Sequence, residues 1–272
     1  MSETLAPTRN GIVPDFDNEL YHNAEGLSKS DLDLLHRSAA HYHSAKTTKT
    51  PPTEAMLFGS AFHALLLEPE RFAKQYVKAP ALSKRTIEGK KAWAAIEEAG
   101  QTALAGADYS AMIQMRENVL ANNIARELIE GSVHEQSAWA EMEGVLCKCR
   151  PDMWHPEFRV IADIKTTTDA SPAEFAKACA RFRYHVQDAW YRQVWEHAGG
   201  ARPEGFIFIA IEKTPPYNVA TYTLSLDAKA QGWAEAVSDI RVFVNAKAEK
   251  KWSGYSPKIE EIELPKWAQI NL

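Results

Sequence analysis

Two aspartates and a lysine stand close together in the stretch RPDMWHPEFRVIADIKTTTD. Asp152 and Asp163 are eleven residues apart, and Lys165 follows the second aspartate by two residues. Strand periodicity puts Asp163 and Lys165 on one face of RVIADIKT and apolar residues on the other. A turn over MWHPEF predicts pairing with the preceding strand GVLCKCRPD, so that the three side chains converge at a sheet edge. Two such carboxylates repel unless a proton or cation bridges them, and their oxygens favour Mg²⁺ or Mn²⁺. An exposed hairpin with salt bridges to Lys165 is the alternative.

Three further polar residues could join such a site. His63 lies in the apolar helical stretch FGSAFHALLLE, although a lone histidine of this kind is more often a structural core residue. Gln187 and Tyr191 are four residues apart in RYHVQDAWYRQ, which places them on one helical face. The tryptophans near Tyr191 would equally suit a position in the core.

Hydrophobic periodicity predicts the elements that must position these residues. The predicted helices cover residues 27–45, 54–68, 91–104 and 108–131. From residue 133 onward, alternation predicts strands in SAWAEMEGVLCKCRPD and FRVIADIKTTTD, with turns at Glu143-Gly144 and His155-Pro156. Two helices, the strands EGFIFIAIEK and YNVATYTLSL, and a long final helix follow. This order predicts an α/β fold with a mixed central β-sheet flanked by helices.

Composition restricts the class of protein. The 272 residues are 45% hydrophobic and 25% charged, as in ordinary globular proteins. No apolar run approaches the roughly 20 residues of a membrane span, and the polar start MSETLAPTRNG lacks a secretory signal, so we expect a cytoplasmic protein without membrane contact. Cys147, Cys149 and Cys179 do not form a four-thiolate set, and we expect Cys147 and Cys149 to be buried strand residues rather than metal ligands. The net charge of −5 neither supports nor excludes a nucleic-acid partner.

Together these segments resemble the RecB-like branch of the PD-(D/E)xK nuclease superfamily, most closely the nuclease domain of RecE-type (exodeoxyribonuclease VIII-like) exonucleases. The matching text is YHNAEGLSKSDLDLLHRSAAHY, MLFGSAFHALLLEPERF, GSVHEQSAWAEMEGVLCKCRPDMW, ADIKTTTDA and YHVQDAWYRQ. The resemblance implies a restriction-endonuclease-like α/β core with an N-terminal helical region. We expect a flexible N-terminus at 1–20 and one nuclease domain at 21–272. Within that domain we expect a mainly helical part at 21–132, a catalytic α/β core at 133–250 and a C-terminal tail at 251–272.

By position, the resemblance also implies roles for individual residues. His63, Asp152, Asp163 and the carbonyl of Ile164 would bind the metal. Lys165 would orient or help deprotonate the attacking water, and Gln187 and Tyr191 match the Q-x-x-x-Y motif that borders the active site and the DNA. Further candidates are Lys148, Arg150, Ser28, Ser30 and Arg37 for DNA contact and Glu135 as an acid behind the ligands.

The function that the resemblance implies is a Mg²⁺-dependent exonuclease in which Mn²⁺ can substitute. It would digest linear double-stranded DNA from 5′ to 3′, release mononucleotides and leave 3′ single strands for phage-type recombination. The resemblance also implies phage or prophage origin in a bacterial host, a ring-shaped homo-oligomer, a tetramer, and a RecT-like single-strand annealing partner. The alternatives are a RecB-like nuclease on single-stranded or flap DNA and a non-catalytic DNA-binding or assembly module. Polarity, processivity and oligomer size rest on the resemblance alone.

Overall fold

The structure is a computed structural model that describes residues 10–48 and 51–264. The first part of this chain forms β1 (Gly11–Val13), α1 (Asn18–Asn23), α2 (Lys29–Arg37), α3 (Ala39–Thr47), α4 (Glu54–Leu67), α5 (Pro69–Gln75), β2 (Tyr76–Lys78), α6 (Ile87–Glu98), β3 (Thr102–Leu104), α7 (Gly106–Ala121) and α8 (Asn123–Glu130). The second part forms β4 (Val133–His134), β5 (Ser137–Met142), β6 (Val145–Cys149), β7 (Met153–His155), β8 (Val160–Thr167), α9 (Pro172–Arg181), α10 (Tyr184–His197), β9 (Gly205–Glu212), β10 (Val219–Tyr222) and α11 (Leu226–Glu249). None of the helices in these ranges is long and apolar enough to cross a membrane.

A mixed five-stranded sheet forms the centre of the molecule, which confirms the predicted fold class. Its strand order is β10-β9-β8-β7-β4, with β8 and β9 parallel and the other pairs antiparallel. The chain between β8 and β9 contains α9 and α10, because two parallel strands need a long crossover. A second, antiparallel sheet has the order β1-β5-β6, and β2 pairs with β3 separately.

The strand that carries Asp163 has a different partner from the one predicted. β8 pairs with the short β7, with Met153 opposite Ala162, whereas β6 pairs with β5 in the other sheet. Arg150, Pro151 and Asp152 separate β6 from β7, and the proline has no amide hydrogen for a ladder. Asp152 therefore lies at a break between the two sheets, beside the middle of β8.

Two of the predicted helices are each broken by a capping side chain. The helix predicted at 27–45 divides at Ser38, whose backbone is extended and whose hydroxyl accepts a hydrogen bond from the amide of His41. The helix predicted at 108–131 divides at Asn122, whose side-chain oxygen accepts from the amide of Ala125. Serine and asparagine end a helix readily because their side chains replace backbone partners. The helix predicted at 91–104 ends early, and its last residues form β3.

Both ends of the described chain contact the rest of the molecule. In the segment expected to be flexible, β1 pairs with β5 and Asp17 caps α1 through the amide of Leu20. Residues 1–9 lie outside the described residues. In the expected tail, Trp252 packs against Tyr42 with ring centroids 5.6 Å apart, and residues 265–272 again lie outside the described residues.

Lys148 is a structural residue, so its predicted contact with phosphate is wrong. The side chain is 2% exposed, and Nζ donates hydrogen bonds of 2.7 Å to the carbonyls of Tyr21 and Ala24. The ammonium also lies 4.8 Å from the Tyr21 ring centroid. Burial lowers the pKa of Lys148 to about 8. Lys148 thus joins α1 and the chain that follows it to β6.

Lys148→Ala should lower the free energy of unfolding by about 2–4 kcal/mol, because two carbonyls lose a charged donor and a buried space opens. Urea denaturation followed by circular dichroism would measure the change. The exposed Lys91→Ala is the control and should change stability by less than about 0.5 kcal/mol. Equal losses in the two variants would contradict this role for Lys148.

Candidate active site

Strand β8 positions the site because its side chains alternate between two helices. Asp163 and Lys165 face α10, where Gln187 and Tyr184 contact them. Ile164 faces the other way and packs in the core cluster that includes Phe62 of α4. The alternation predicted for Asp163 and Lys165 is therefore present.

His63 and Asp152 meet at the backbone of Ile164. The Ile164 amide donates a hydrogen bond of 2.7 Å to Asp152 Oδ2, and His63 Nε2 lies 3.0 Å from the Ile164 carbonyl oxygen. His63 Nδ1 lies 3.6 Å from Asp152 Oδ2. His63 and Ile164, 101 positions apart in the chain, are thus in contact, and Asp152 binds the backbone of the same residue.

The imidazole of His63 is oriented to accept a cation. A carbonyl oxygen only accepts hydrogen bonds, so Nε2 carries the proton in the contact with Ile164. Burial lowers the pKa of His63, which favours the neutral ring. In that ring Nδ1 presents a lone pair towards a carboxylate oxygen of Asp152. The pair of acceptors is stable only with a proton or cation between them.

Asp163 and Lys165 form a buried pair on the α10 side. Asp163 is 2% exposed, Oδ1 accepts from Gln187 Nε2 at 2.5 Å, and Oδ2 forms an ion pair with Lys165 Nζ. Burial opposes the charge of Lys165, but the carboxylates of Asp163 and Asp152 outweigh it and raise the pKa of the ammonium. Lys165 is therefore a fixed positive charge in this state. Its predicted role in orienting water and stabilising phosphate charge fits this better than proton removal.

Glu135 lies among the possible ligands rather than behind them. His63, Glu135 and Asp152 each offer one possible ligand atom, and these three atoms lie within 4.8 Å of one another. The backbone of Glu135 has a left-handed φ of 52°, and its amide donates to the carbonyl of Asp152 at 3.1 Å. Arg150 Nε holds the Glu135 carboxylate at 2.7 Å. Nothing in the residue pattern marks a left-handed glutamate, so the sequence could suggest its presence but not its position.

The donor set fits a hard divalent cation. Two carboxylates, an imidazole and the second lone pair of the Ile164 carbonyl are oxygen and nitrogen donors of the type that Mg²⁺ and Mn²⁺ use. Burial and the neighbouring Asp163 raise the pKa of Asp152 well above its usual range. Burial, followed by the charge of Asp152, raises the pKa of Glu135 to about 6. A bound cation would relieve this repulsion between acids.

The residues predicted to contact DNA are largely used elsewhere. The Arg150 guanidinium binds Glu135 through Nε and the carbonyl of Phe16 through Nη1, and its contact with phosphate stays a prediction. The Ser28 hydroxyl caps α2 in a capping box with Asp31. Ser30 and Arg37 are exposed, and their DNA contact stays a prediction, as does that of the half-buried Tyr191. Cys147 and Cys149 are buried, as expected, and Cys179 is buried as well.

Comparison with known proteins identifies the family. Residues 28–265 match the model of the PDDEXK-like domain of unknown function (DUF3799), and the chain belongs to this family. A crystal structure of a candidate exonuclease from Eubacterium rectale is similar over 93% of this chain and 97% of that chain, with a TM-score of 0.65 and 13% identity. At this identity the similarity shows a shared fold.

A phage-related exonuclease from Haemophilus somnus 129PT aligns over 85% of this chain and all of its own, with a TM-score of 0.39 and 12% identity. A search of the curated proteins found no match.

Binding of Mn²⁺ should weaken as the pH falls from 7.5 to 5.5, because protons compete for the ligand carboxylates. With a pKa of about 6, Glu135 alone is mostly protonated at pH 5.5 and should weaken binding roughly 4-fold. Calorimetric titration at the two pH values measures this change.

Glu135→Gln should bind Mn²⁺ more weakly at pH 7.5 and with a flatter pH profile. In the metal-free protein the stability contribution of Glu135 is present below pH 4.5 and is lost as the pH rises through about 6. Mn²⁺ affinity that is equal at both pH values in the wild type would contradict the proposed ligands.

Proposed function

We propose that this chain is a divalent-metal-dependent nuclease that hydrolyses the phosphodiester bonds of DNA. The observation that carries the proposal is the grouping of ligand atoms from His63, Glu135 and Asp152 next to the buried Asp163–Lys165 pair. A ligand set without a lysine would suit structural metal binding, whereas a fixed ammonium beside it suits attack on a phosphate. Membership of a PDDEXK-like family supports the same class of chemistry.

Mg²⁺ is the proposed metal, with Mn²⁺ as a substitute. Asp152, Glu135, His63 and the Ile164 carbonyl would hold it. When bound, the metal supplies Lewis-acid activation of the phosphate and of a water molecule. Direct ligation by Asp163, which the resemblance implies, is part of the proposal, and its carboxylate also fixes Lys165.

The protein groups around the metal have separate tasks in the proposed reaction. Lys165 provides positive charge where the phosphate accumulates negative charge, and it keeps that charge because two carboxylates neighbour it. Gln187 holds Asp163 in one orientation through the hydrogen bond from Nε2. Arg150 holds Glu135 near the ligand atoms. Each of these contacts is present before a substrate binds, so little reorganisation is needed during the reaction.

The finer proposal is a RecE-type exonuclease. It would degrade linear double-stranded DNA from 5′ to 3′, release mononucleotides and leave 3′ single strands. A ring-shaped homotetramer and a RecT-like annealing recombinase belong to the same proposal. Its support is the resemblance of the five segments around His63, Asp152, Asp163 and Gln187. The rival assignments are a nuclease for single-stranded or flap DNA and a non-catalytic module.

Asp163→Asn and Lys165→Gln should each lower the rate of DNA hydrolysis at least about 100-fold, because each removes charge that the transition state needs. The measurement is release of acid-soluble nucleotides from linear duplex with Mg²⁺. Circular dichroism and thermal melting check folding, because Lys165→Gln leaves Asp163 buried without its cation. Glu204→Gln, at the opposite end of β8, is the control and should keep wild-type activity. Folded variants with near wild-type rates would contradict the assignment.

The exonuclease assignment requires a DNA end. The protein should degrade linear duplex and leave covalently closed circular duplex intact under the same conditions. A label on the 5′ end should be released as a mononucleotide before a label on the 3′ end. Cutting of the closed circle would favour an internal nuclease, and preference for single-stranded or flap substrates would favour the RecB-like alternative. Absence of metal-dependent degradation of any DNA would favour the non-catalytic module.

A further inference from the structure

Two stacked aromatic rings, those of Phe182 and Tyr184, lie between the protein surface and Lys165. Phe182 lies between α9 and α10 and is 49% exposed. Its ring stacks on Tyr184 with centroids 5.7 Å apart and an interplanar angle of 25°. The Tyr184 ring centroid lies 4.8 Å from Lys165 Nζ. An exposed aromatic side chain is therefore two ring contacts away from the ammonium of the candidate active site.

The position of Phe182 is fixed by the residue that follows it. Arg183 has a left-handed φ of 54° and is 8% exposed. Its guanidinium donates to Asp239 at 2.6 Å and to Glu235 at 3.1 Å, both on α11. The carbonyl of Phe182 accepts a hydrogen bond of 2.7 Å from Lys29 Nζ on α2. The exposed ring is thus carried on a backbone that two other helices hold in place.

Phe182 and Tyr184 line a cavity of about 410 Å³ that cationic side chains border. Its lining includes Thr166, Lys177, Arg181, Phe182, Tyr184 and Lys213. The Arg181 guanidinium lies 5.3 Å from the Phe182 ring centroid. Within residues 10–48 and 51–264, neither Arg181 nor Lys213 has an ion-pair partner.

The acids of this cavity have local partners. Glu174 pairs with Lys177 at 2.6 Å, and Asp169 accepts from the amide of Ser171 at 2.7 Å. The cavity thus has three cations against two acids, and Arg181 and Lys213 are the cations without a carboxylate partner among the described residues.

We infer that this cavity is a subsite for an unpaired nucleotide of the DNA strand next to the bond that is cut. The base of this nucleotide stacks on Phe182, and the phosphates that flank the nucleotide contact Arg181 and Lys213. An aromatic face with neighbouring cations binds single strands without regard to sequence, because every base has a π-face and every linkage a charge. Bases within a duplex are already stacked on each other, so the exposed ring selects a base that has left the helix. This inference rests on the proposed nuclease function.

The test is binding of a fluorescent single-stranded oligonucleotide, measured by anisotropy with Ca²⁺ in place of Mg²⁺. Phe182→Ala should bind about 10-fold more weakly, because one stacking contact between a base and an aromatic ring is lost. Phe182→Trp should bind like the wild type. Fluorescence of 2-aminopurine near the bound end should be quenched in the wild type and less so in Phe182→Ala.

The matched control is Phe158→Ala. Phe158 is also exposed, at 43%, and also stacks on an aromatic ring, that of His155, but it lies beyond the opposite end of β8. It should bind the oligonucleotide like the wild type. Arg181→Gln and Lys213→Gln should each lower the slope of log affinity against log salt by about 0.7, whereas Arg202→Gln, next to β9 at that opposite end, should not.

The outcomes separate the subsite from the proposed function. If the wild type binds and degrades DNA while Phe182→Ala binds as tightly as the wild type, the subsite is wrong and the nuclease assignment stands. Equal losses in Phe182→Ala and Phe158→Ala would likewise overturn the subsite. If the wild type neither binds nor degrades DNA, the nuclease assignment fails and the inference fails with it.

Discussion

The candidate site depends on the backbone of Ile164. Its amide binds Asp152 and its carbonyl contacts His63, so one residue of β8 receives side chains from the helical part of the chain and from the break between the two sheets. The two peptide groups that flank Ile164 cannot rotate independently, because neighbouring residues are held in ladders with β7 and β9. The positions of His63 and Asp152 are therefore set by the central sheet.

The charged groups on the two sides of β8 differ in how fully they are compensated. On the α10 side, Asp163 and Lys165 neutralise each other under the cover of Gln187 and Tyr184. On the α4 side, Arg150 binds Glu135, and the charges of Lys165 and Arg150 do not offset the burial of Asp152, whose pKa stays raised. Buried acids without full compensation favour protons or metal ions over free charge. This imbalance is the physical reason for regarding the α4 side as the candidate metal site.

Much of this arrangement follows from residue periodicity and from resemblance. Alternation along RVIADIKT correctly places Asp163 and Lys165 on one face, and the order of elements predicts the mixed sheet. The residue pattern predicts that β8 pairs with β6, because the stretch from Gly144 to Asp152 has the alternation of a single strand. The proline at 151 interrupts it, and competition between two sheets for a strand is a tertiary effect that local pattern does not contain.

The roles of the charged residues were harder to predict than the strands. Lys148 and Arg150 alternate with apolar residues as surface cations would, yet both charges are satisfied by carbonyls or Glu135 within the fold. Their partners, Tyr21 and Phe16, lie more than a hundred residues earlier, so no spacing rule connects them. Phe182 carries no periodic signal because it lies between two helices. Residue patterns predict an exposed position for side chains such as those of Lys148 and Arg150, because they contain no information about a partner that is distant in the chain.

The left-handed backbone at Glu135 affects how relatives of this protein can diverge. Glycine and asparagine adopt that conformation more easily than glutamate does. A relative with glycine at this position would therefore have a more relaxed local chain and would lack one carboxylate of the candidate metal site.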